Sequence, residues 1–259
     1  MEIWQAIVLG AVQGFTEFLP VSSSGHLILL QKWFGITEGV LFYSIMLHVG
    51  TLIPVLVVLW KQILELFKKP FGRFWNLVLA TIPAGVVGLV MATLLDLDGI
   101  FTEHVWLLSI TFLLTAGEML FSEIRCKKVK MDNGINYKSA LTMGVGQAFG
   151  VLPGLSRSGT TVTFGCLAKV DREENAKFTF LMSIPLILAA AALESLDCIK
   201  EGTIGNINFV ALAFGVVTAM VTGYIAIKFM MSVIKKANYK WFSLYLVGVS
   251  VASLVTGLI

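Results

Sequence analysis

The stretch QGFTEFLPVSSSGH, residues 13–26, interrupts an apolar N-terminal segment where a membrane-spanning helix would have its middle. Gln13 and Glu17 are four residues apart and so share one helix face. Pro20 disfavours helix at Leu19 and frees backbone groups there. Ser22, Ser23 and Ser24 then stand at the start of a second half-helix, where hydroxyls cap and backbone N–H groups point outward. A helix N-terminus of this kind is an anion site, above all for phosphate. The apolar pieces on either side, 1–19 and 23–34, are each too short to span comfortably, because a crossing takes about 20 mainly apolar residues. The stretch therefore predicts a broken, re-entrant hairpin in a membrane protein.

Composition agrees. Of 259 residues, 57% are hydrophobic and 14% charged, and the mean hydropathy is +0.86. A soluble domain carries about 25% charge. Disordered, collagenous, disulfide-stapled and nucleic-acid-binding readings are excluded, and no nucleic acid is expected as a partner. Cys126, Cys166 and Cys198 are odd in number and form no CxxC pair, so neither a disulfide framework nor a zinc site is expected. His26, His48 and His104 show no ligand spacing. Glu2 stands where a signal peptide would be basic, so the chain is read as integral from its first residues.

A shift of 134 residues brings Gly10 to Gly144, Gln13 to Gln147, Phe15 to Phe149, Ser22 to Ser156, Ser24 to Ser158 and Gly25 to Gly159. Short pieces at 138–152 and 158–169 thus repeat the first hairpin around a second break. Six longer apolar segments are expected at 39–60, 72–95, 104–122, 173–195, 207–234 and 240–259. The expected fold is an all-α polytopic membrane protein, with six full transmembrane helices plus two re-entrant helix-loop-helix hairpins. It forms one integral domain over 1–259, built from repeats 1–122 and 135–259. Each half then crosses three times, an odd number, so the second half is inverted relative to the first and the site is expected where the breaks meet. If the broken pairs spanned fully, the repeats would be parallel. The positive-inside rule separates the two. In the re-entrant topology the loops at 61–73, 125–138, 169–177 and 228–240 share one side and hold 16 of the 19 Lys and Arg residues. Lys32 and Lys200 fall on the other side with Asp96, Asp98, Glu103, Asp197 and Glu201, which places both termini outside. The remaining base, Arg157, lies inside the second break.

That break reads PGLSRSGTT, residues 153–161. It is another half-helix N-terminus, with Ser156, Ser158, Gly159, Thr160 and Thr161 around an arginine whose planar fork suits phosphate oxygens. A charge deep in a membrane costs at least about 2.5–3.5 kcal/mol on insertion scales and so takes a partner. Glu17 and Arg157 are natural counter-charges if the breaks meet. A plain reading makes them a buried pair that holds the halves together. With polar loops on both sides, an oxyanion or phosphate site is favoured. Arg157 and the two N-termini would hold phosphate, Glu17 or His26 would act as general base or acid, and a serine among Ser22–Ser24 would attack directly or position water. His48 is expected to be an interhelical hydrogen-bonder, and Glu118 to lie near a helix end or be paired.

GFTEFLPVSSSGH (14–26) together with PGLSRSGTT (153–161) resembles the undecaprenyl-diphosphate phosphatase family, also known as bacitracin-resistance proteins, over essentially the whole chain. The resemblance implies hydrolysis of a polyprenyl diphosphate to the monophosphate at the plasma membrane, recycling the lipid carrier for peptidoglycan synthesis. It implies that Glu17 is the essential acidic residue, with Gln13 in the first position of an E/Q-xxx-E motif. Ser23 matches the proposed nucleophile, His26 the histidine beside the phosphates, and Ser156, Arg157, Ser158 and Thr161 the phosphate-binding motif. It further implies a divalent cation, Mg or Ca, for which Gln13 and Glu17 are the candidate ligands. Partners expected are the lipid substrate, membrane lipids and a second copy in a homodimer. A transporter or flippase of a phosphorylated lipid or anion is the competing expectation, because inverted repeats with broken helices are common among transporters.

Overall fold

The structure, a computed structural model, describes residues 1–36, 40–95, 97–201 and 207–258. Asp96, expected on the outer side, lies outside the described residues, as do the side chains of Asp98, Asp197, Lys200 and Glu201. The elements are α1 (Ile3–Phe18), α2 (Ser23–Trp33), α3 (Val40–Val58), α4 (Trp60–Leu66), α5 (Gly72–Leu94) and α6 (Leu97–Glu103), then α7 (Leu107–Lys128), α8 (Tyr137–Phe149), α9 (Arg157–Leu167), α10 (Arg172–Glu201), α11 (Phe209–Lys236) and α12 (Lys240–Leu258). Among the described residues there is no strand, only an isolated bridge between Asn133 and Val170.

Helices α5, α7, α10, α11 and α12 are long and apolar enough to cross a membrane, and α3 with α4, bent by 81°, makes a sixth when taken as one span. The all-α polytopic membrane class follows. Helices α2 and α9 have 11 residues each. At 1.5 Å per residue that is about 16 Å, half of a hydrocarbon core about 30 Å thick.

Local chemistry sets the breaks. Before Pro20, Leu19 is extended (φ −72°, ψ 147°) and α1 stops. Ser22 then adopts φ 68°, a left-handed value that costs a non-glycine residue about 1–3 kcal/mol, while its Oγ accepts from the Gly25 N–H. In the second break Gly154 sits at φ +83°, and a Cβ there would lie 1.9 Å from Thr111 Oγ1. Only glycine fits. Ser156 Oγ caps α9 by accepting from Gly159 N–H at 3.1 Å.

The first helix of each half seats on a long helix of the other half. α1 packs along α11, and α8 along α5. A Cβ at Gly10 would lie 2.2 Å from the Gly215 carbonyl oxygen, and one at Gly144 would lie 2.5 Å from that of Ala80. Such small-residue contacts are how membrane helices bring backbones together. Gly14 is equally constrained, its Cβ position being 2.0 Å from Thr222 Oγ1 and 2.5 Å from the Ala219 carbonyl oxygen. Gly14→Ala is therefore expected to cost about 1–3 kcal/mol by overpacking. In detergent, its thermal unfolding midpoint should fall. Gly117→Ala, whose Cβ meets open space, should not lower it.

One expectation is corrected. Cys126, late in α7, and Cys166, late in α9, form a disulfide, with Cα atoms 6.0 Å apart. The 40-residue separation carries no local signature. The pair exists because the ends of two helices meet, a contact that cysteine spacing does not encode.

Candidate active site

The two breaks meet face to face. A Cβ at Gly25 would lie 3.0 Å from the Gly154 Cα and 2.7 Å from the Phe112 ring, so glycine on both sides permits the approach. Ser158 Oγ donates to the Leu19 carbonyl at 3.1 Å. Arg157 Nη2 donates to Glu17 Oε1, pairing the two charges directly. Behind them Thr115 Oγ1 accepts from Ser156 N–H at 3.2 Å and shares its one proton between the carbonyls of Thr111 (3.0 Å) and Gly154 (3.3 Å).

Glu17 is the centre of the arrangement, its side chain only 2% exposed. Its Oε2 accepts from Ser23 Oγ at 2.8 Å and from Gln13 Nε2 at 3.0 Å. A hydroxyl held on a carboxylate oxygen is the geometry of a nucleophile and its base. Arg157 remains 17% exposed, and a guanidinium has five donors. The rest of its fork can face an incoming anion.

His48 Nδ1 donates to the Ser44 carbonyl at 2.7 Å, and its Nε2 lies 3.5 Å from Glu17 Oε2. The sequence suggested an interhelical hydrogen bond; the hydrogen bond His48 makes is within α3, and its interhelical contact is the approach of Nε2 to the central carboxylate. His26 Nδ1 donates to the Ser22 carbonyl at 2.7 Å, so in the neutral ring Nε2 accepts from Tyr245 Oη at 2.8 Å. The His26 ring stacks on Tyr245 with an interplanar angle of 6° and meets Phe112 edge-on.

The expected phosphate contacts divide in two. Ser23, Ser24 and Arg157 are partly exposed. Ser22, Ser156, Ser158, Thr160 and Thr161 are buried. Thr160 Oγ1 donates to the carbonyls of Ser156 and Arg157, and Thr161 Oγ1 to that of Arg157. Ser156 Oγ holds the Gly159 N–H. These groups shape the loop and are committed to its backbone. Ser22→Ala is thus expected to cost about 1 kcal/mol of stability as a lost cap and to leave most of the turnover. Ser23→Ala should keep the unfolding midpoint and lose turnover. Thermal melts and phosphate release on the same preparations distinguish the two roles.

Glu118 departs from its expectation. It sits mid-way along α7, and its buried Oε2 has no hydrogen-bond partner among the described residues. Tyr245, Thr115 and Phe112 were not singled out from the sequence, where each is one more residue in an apolar or hydroxyl-bearing helix. Only the approach of α7 and α12 to the breaks gives them a role.

For a divalent cation, the informative atom is Gln13 Oε1, buried and without a hydrogen-bond partner among the described residues, beside Glu17. Two hard oxygen donors suit Mg or Ca when waters and substrate phosphate complete the shell. No group of three His, Cys, Asp or Glu among the described residues can hold a metal by itself.

Fold and site together define a polytopic all-α membrane protein in which two broken helices bring a hydroxyl, a carboxylate and an arginine into direct contact. The chain belongs to the family described as bacitracin resistance protein BacA, whose model matches residues 6–252. It is 39% identical over 251 residues to an undecaprenyl-diphosphatase of Carboxydothermus hydrogenoformans, covering 95% of this chain and 94% of that one. Against an undecaprenyl-diphosphatase of Bacteroides fragilis the identity is 38% over 265 residues, covering 98% of each chain. An undecaprenyl-diphosphatase of Methanobrevibacter smithii is 36% identical over 267 residues, covering 95% of this chain and 94% of its own.

Proposed function

We infer that the chain is a membrane phosphatase that hydrolyses undecaprenyl diphosphate to undecaprenyl monophosphate and inorganic phosphate. The observation that carries this reading is the Ser23–Glu17 hydrogen bond of 2.8 Å beside the Arg157 pair. A transporter of phosphorylated lipids needs an anion seat but no activated hydroxyl.

The terminal phosphate enters between the N-termini of α2 and α9, where free N–H groups and Arg157 neutralise its charge. Glu17 Oε2 takes the proton of Ser23 as Oγ attacks the terminal phosphorus. The bridging P–O bond breaks, and polyprenyl monophosphate leaves. Water then attacks the phosphoserine, releasing inorganic phosphate and returning the proton to Ser23. When bound at Gln13 Oε1 and Glu17, a divalent cation supplies further neutralisation of phosphate charge. Stripping cations with a chelator should therefore lower phosphate release, and added Mg or Ca should restore it. Gln13→Leu should raise the cation concentration needed for half-restoration.

The seating of α1 on α11 and of α8 on α5 supports two halves related by exchange, which pack reciprocally, and the odd number of crossings in each half makes that repeat inverted. With the basic loops inside, both termini lie outside the plasma membrane. Ala189, Ala190 and Ala192 face outward from α10, and they are the small-residue surface a second copy would use in a homodimer. The test of function is phosphate release from undecaprenyl diphosphate by purified protein in detergent. Turnover there, without two compartments, supports the enzyme; lipid flux in liposomes without hydrolysis would overturn it.

A further inference from the structure

Resting on that reading, we propose that a shallow groove on the outer face of α12 binds the part of the substrate's isoprenoid tail next to the diphosphate, with Tyr245 linking tail to active site. The groove, of about 450 Å³, is lined by Trp241, Leu244, Tyr245, Gly248, Val249 and Ala252. These positions fall on one side of the helix, and Gly248 and Ala252 form a notch between larger side chains. Its walls are chiefly apolar, as an unsaturated hydrocarbon requires.

Two observations assign the groove to the substrate tail rather than to bulk lipid. First, it is continuous with the catalytic region: Tyr245 lines it, while the same residue's hydroxyl donates to His26 Nε2 at 2.8 Å and its ring stacks on the imidazole. A second apolar groove, between α3 and α11 around Pro54 and Val221, is lined by no residue of the site. Second, α12 is clamped from behind. Ser243 Oγ donates to the Ala116 carbonyl at 2.8 Å, and Ser250 Oγ to that of Ser109 at 2.9 Å, both on α7. α12 is thereby fixed to α7, and the Tyr245–His26 hydrogen bond ties its groove face to α2. From Trp241 to Ala252 the helix rises about 16 Å, room for several isoprene units in extended form. A tail laid there keeps the diphosphate beside His26, and Tyr245 acts as the positioning residue between them.

The test compares undecaprenyl diphosphate with farnesyl diphosphate on purified full-length protein. A Cβ at Gly248 meets open space, so Gly248→Leu can enter the notch with no clash at its Cβ. It is expected to raise KM for the long substrate and to lower the long-to-short ratio of kcat/KM by about 10–100-fold, the range that apolar pocket contacts discriminate. Tyr245→Phe keeps the ring and removes the hydroxyl, and should lower kcat on both substrates with little change in KM. Gly85→Leu, also in open space but on α5, is the control and should alter neither. A ratio unchanged in Gly248→Leu, or a Tyr245→Phe enzyme with wild-type kcat, overturns this proposal while leaving the phosphatase intact. Wild type inactive on both substrates overturns the phosphatase reading itself.

Discussion

Arg157→Ala is expected to lower phosphate release by about 10³-fold or more, the range lost when an arginine is withdrawn from a transferring phosphoryl group. Arg157 sits at the first turn of α9, inside the second break, and is the one arginine or lysine paired with Glu17 among the described residues. Its removal also strands a buried carboxylate, so a lower unfolding midpoint is expected as well; a broken buried pair costs about 3–5 kcal/mol. Arg157→Lys separates the two effects. It keeps a positive charge for Glu17 but loses the planar fork that can grip Glu17 and phosphate together. Its melt should stay close to wild type, with kcat/KM down by about 10²-fold, one lost donor's worth. Full activity in either variant would remove Arg157 from the site.

Glu17→Gln is expected to lower kcat by about 10²–10⁴-fold, the usual contribution of a positioned base. The amide has the carboxylate's shape and can still accept from Arg157, so the fold should persist. What it loses is the ability to take the proton of Ser23 from 2.8 Å away. KM should change far less than kcat, because the phosphate seat is built by α2, α9 and Arg157. An equal fall in binding and turnover would make Glu17 a structural counter-charge only.

Much of this was legible in the sequence, because membrane solvation is strict. Pro54, Pro83 and Pro185 lie inside helices, so proline alone marks no break. Pro20 with Ser22–Ser24, and Pro153–Gly154 with Ser156–Gly159, combine proline or glycine with capping hydroxyls, and that combination made the half-helices legible. The pairing of Glu17 with Arg157 followed from the same cost, since two isolated charges in an apolar chain need one another. The halves are complementary rather than equivalent. The 134-residue shift sets Val151 opposite Glu17, and Arg157 opposite Ser23, so one break carries the carboxylate and hydroxyl and the other the cation.

What was not legible depends on tertiary approach. His48 lies 31 positions beyond Glu17, and nothing in that spacing says that α3 turns its imidazole toward α1. Tyr245 and His26 are 219 residues apart. The Cys126–Cys166 bond arises in the same way. Thr160 and Thr161 show the opposite limit. Their residue type suggested phosphate donors, but a threonine inside a helix can satisfy its hydroxyl on the carbonyl one turn back, and both do so.

The central claim is that one phosphate seat is formed where the two breaks meet. It is tested most directly by an experimental structure with a methylene-bridged undecaprenyl diphosphonate, which cannot be hydrolysed. The terminal phosphonate is expected between the first turns of α2 and α9, in contact with Arg157, with Ser23 Oγ in line for attack on phosphorus. A diphosphonate bound elsewhere, with Ser23 and Arg157 contacting only Glu17, would contradict it.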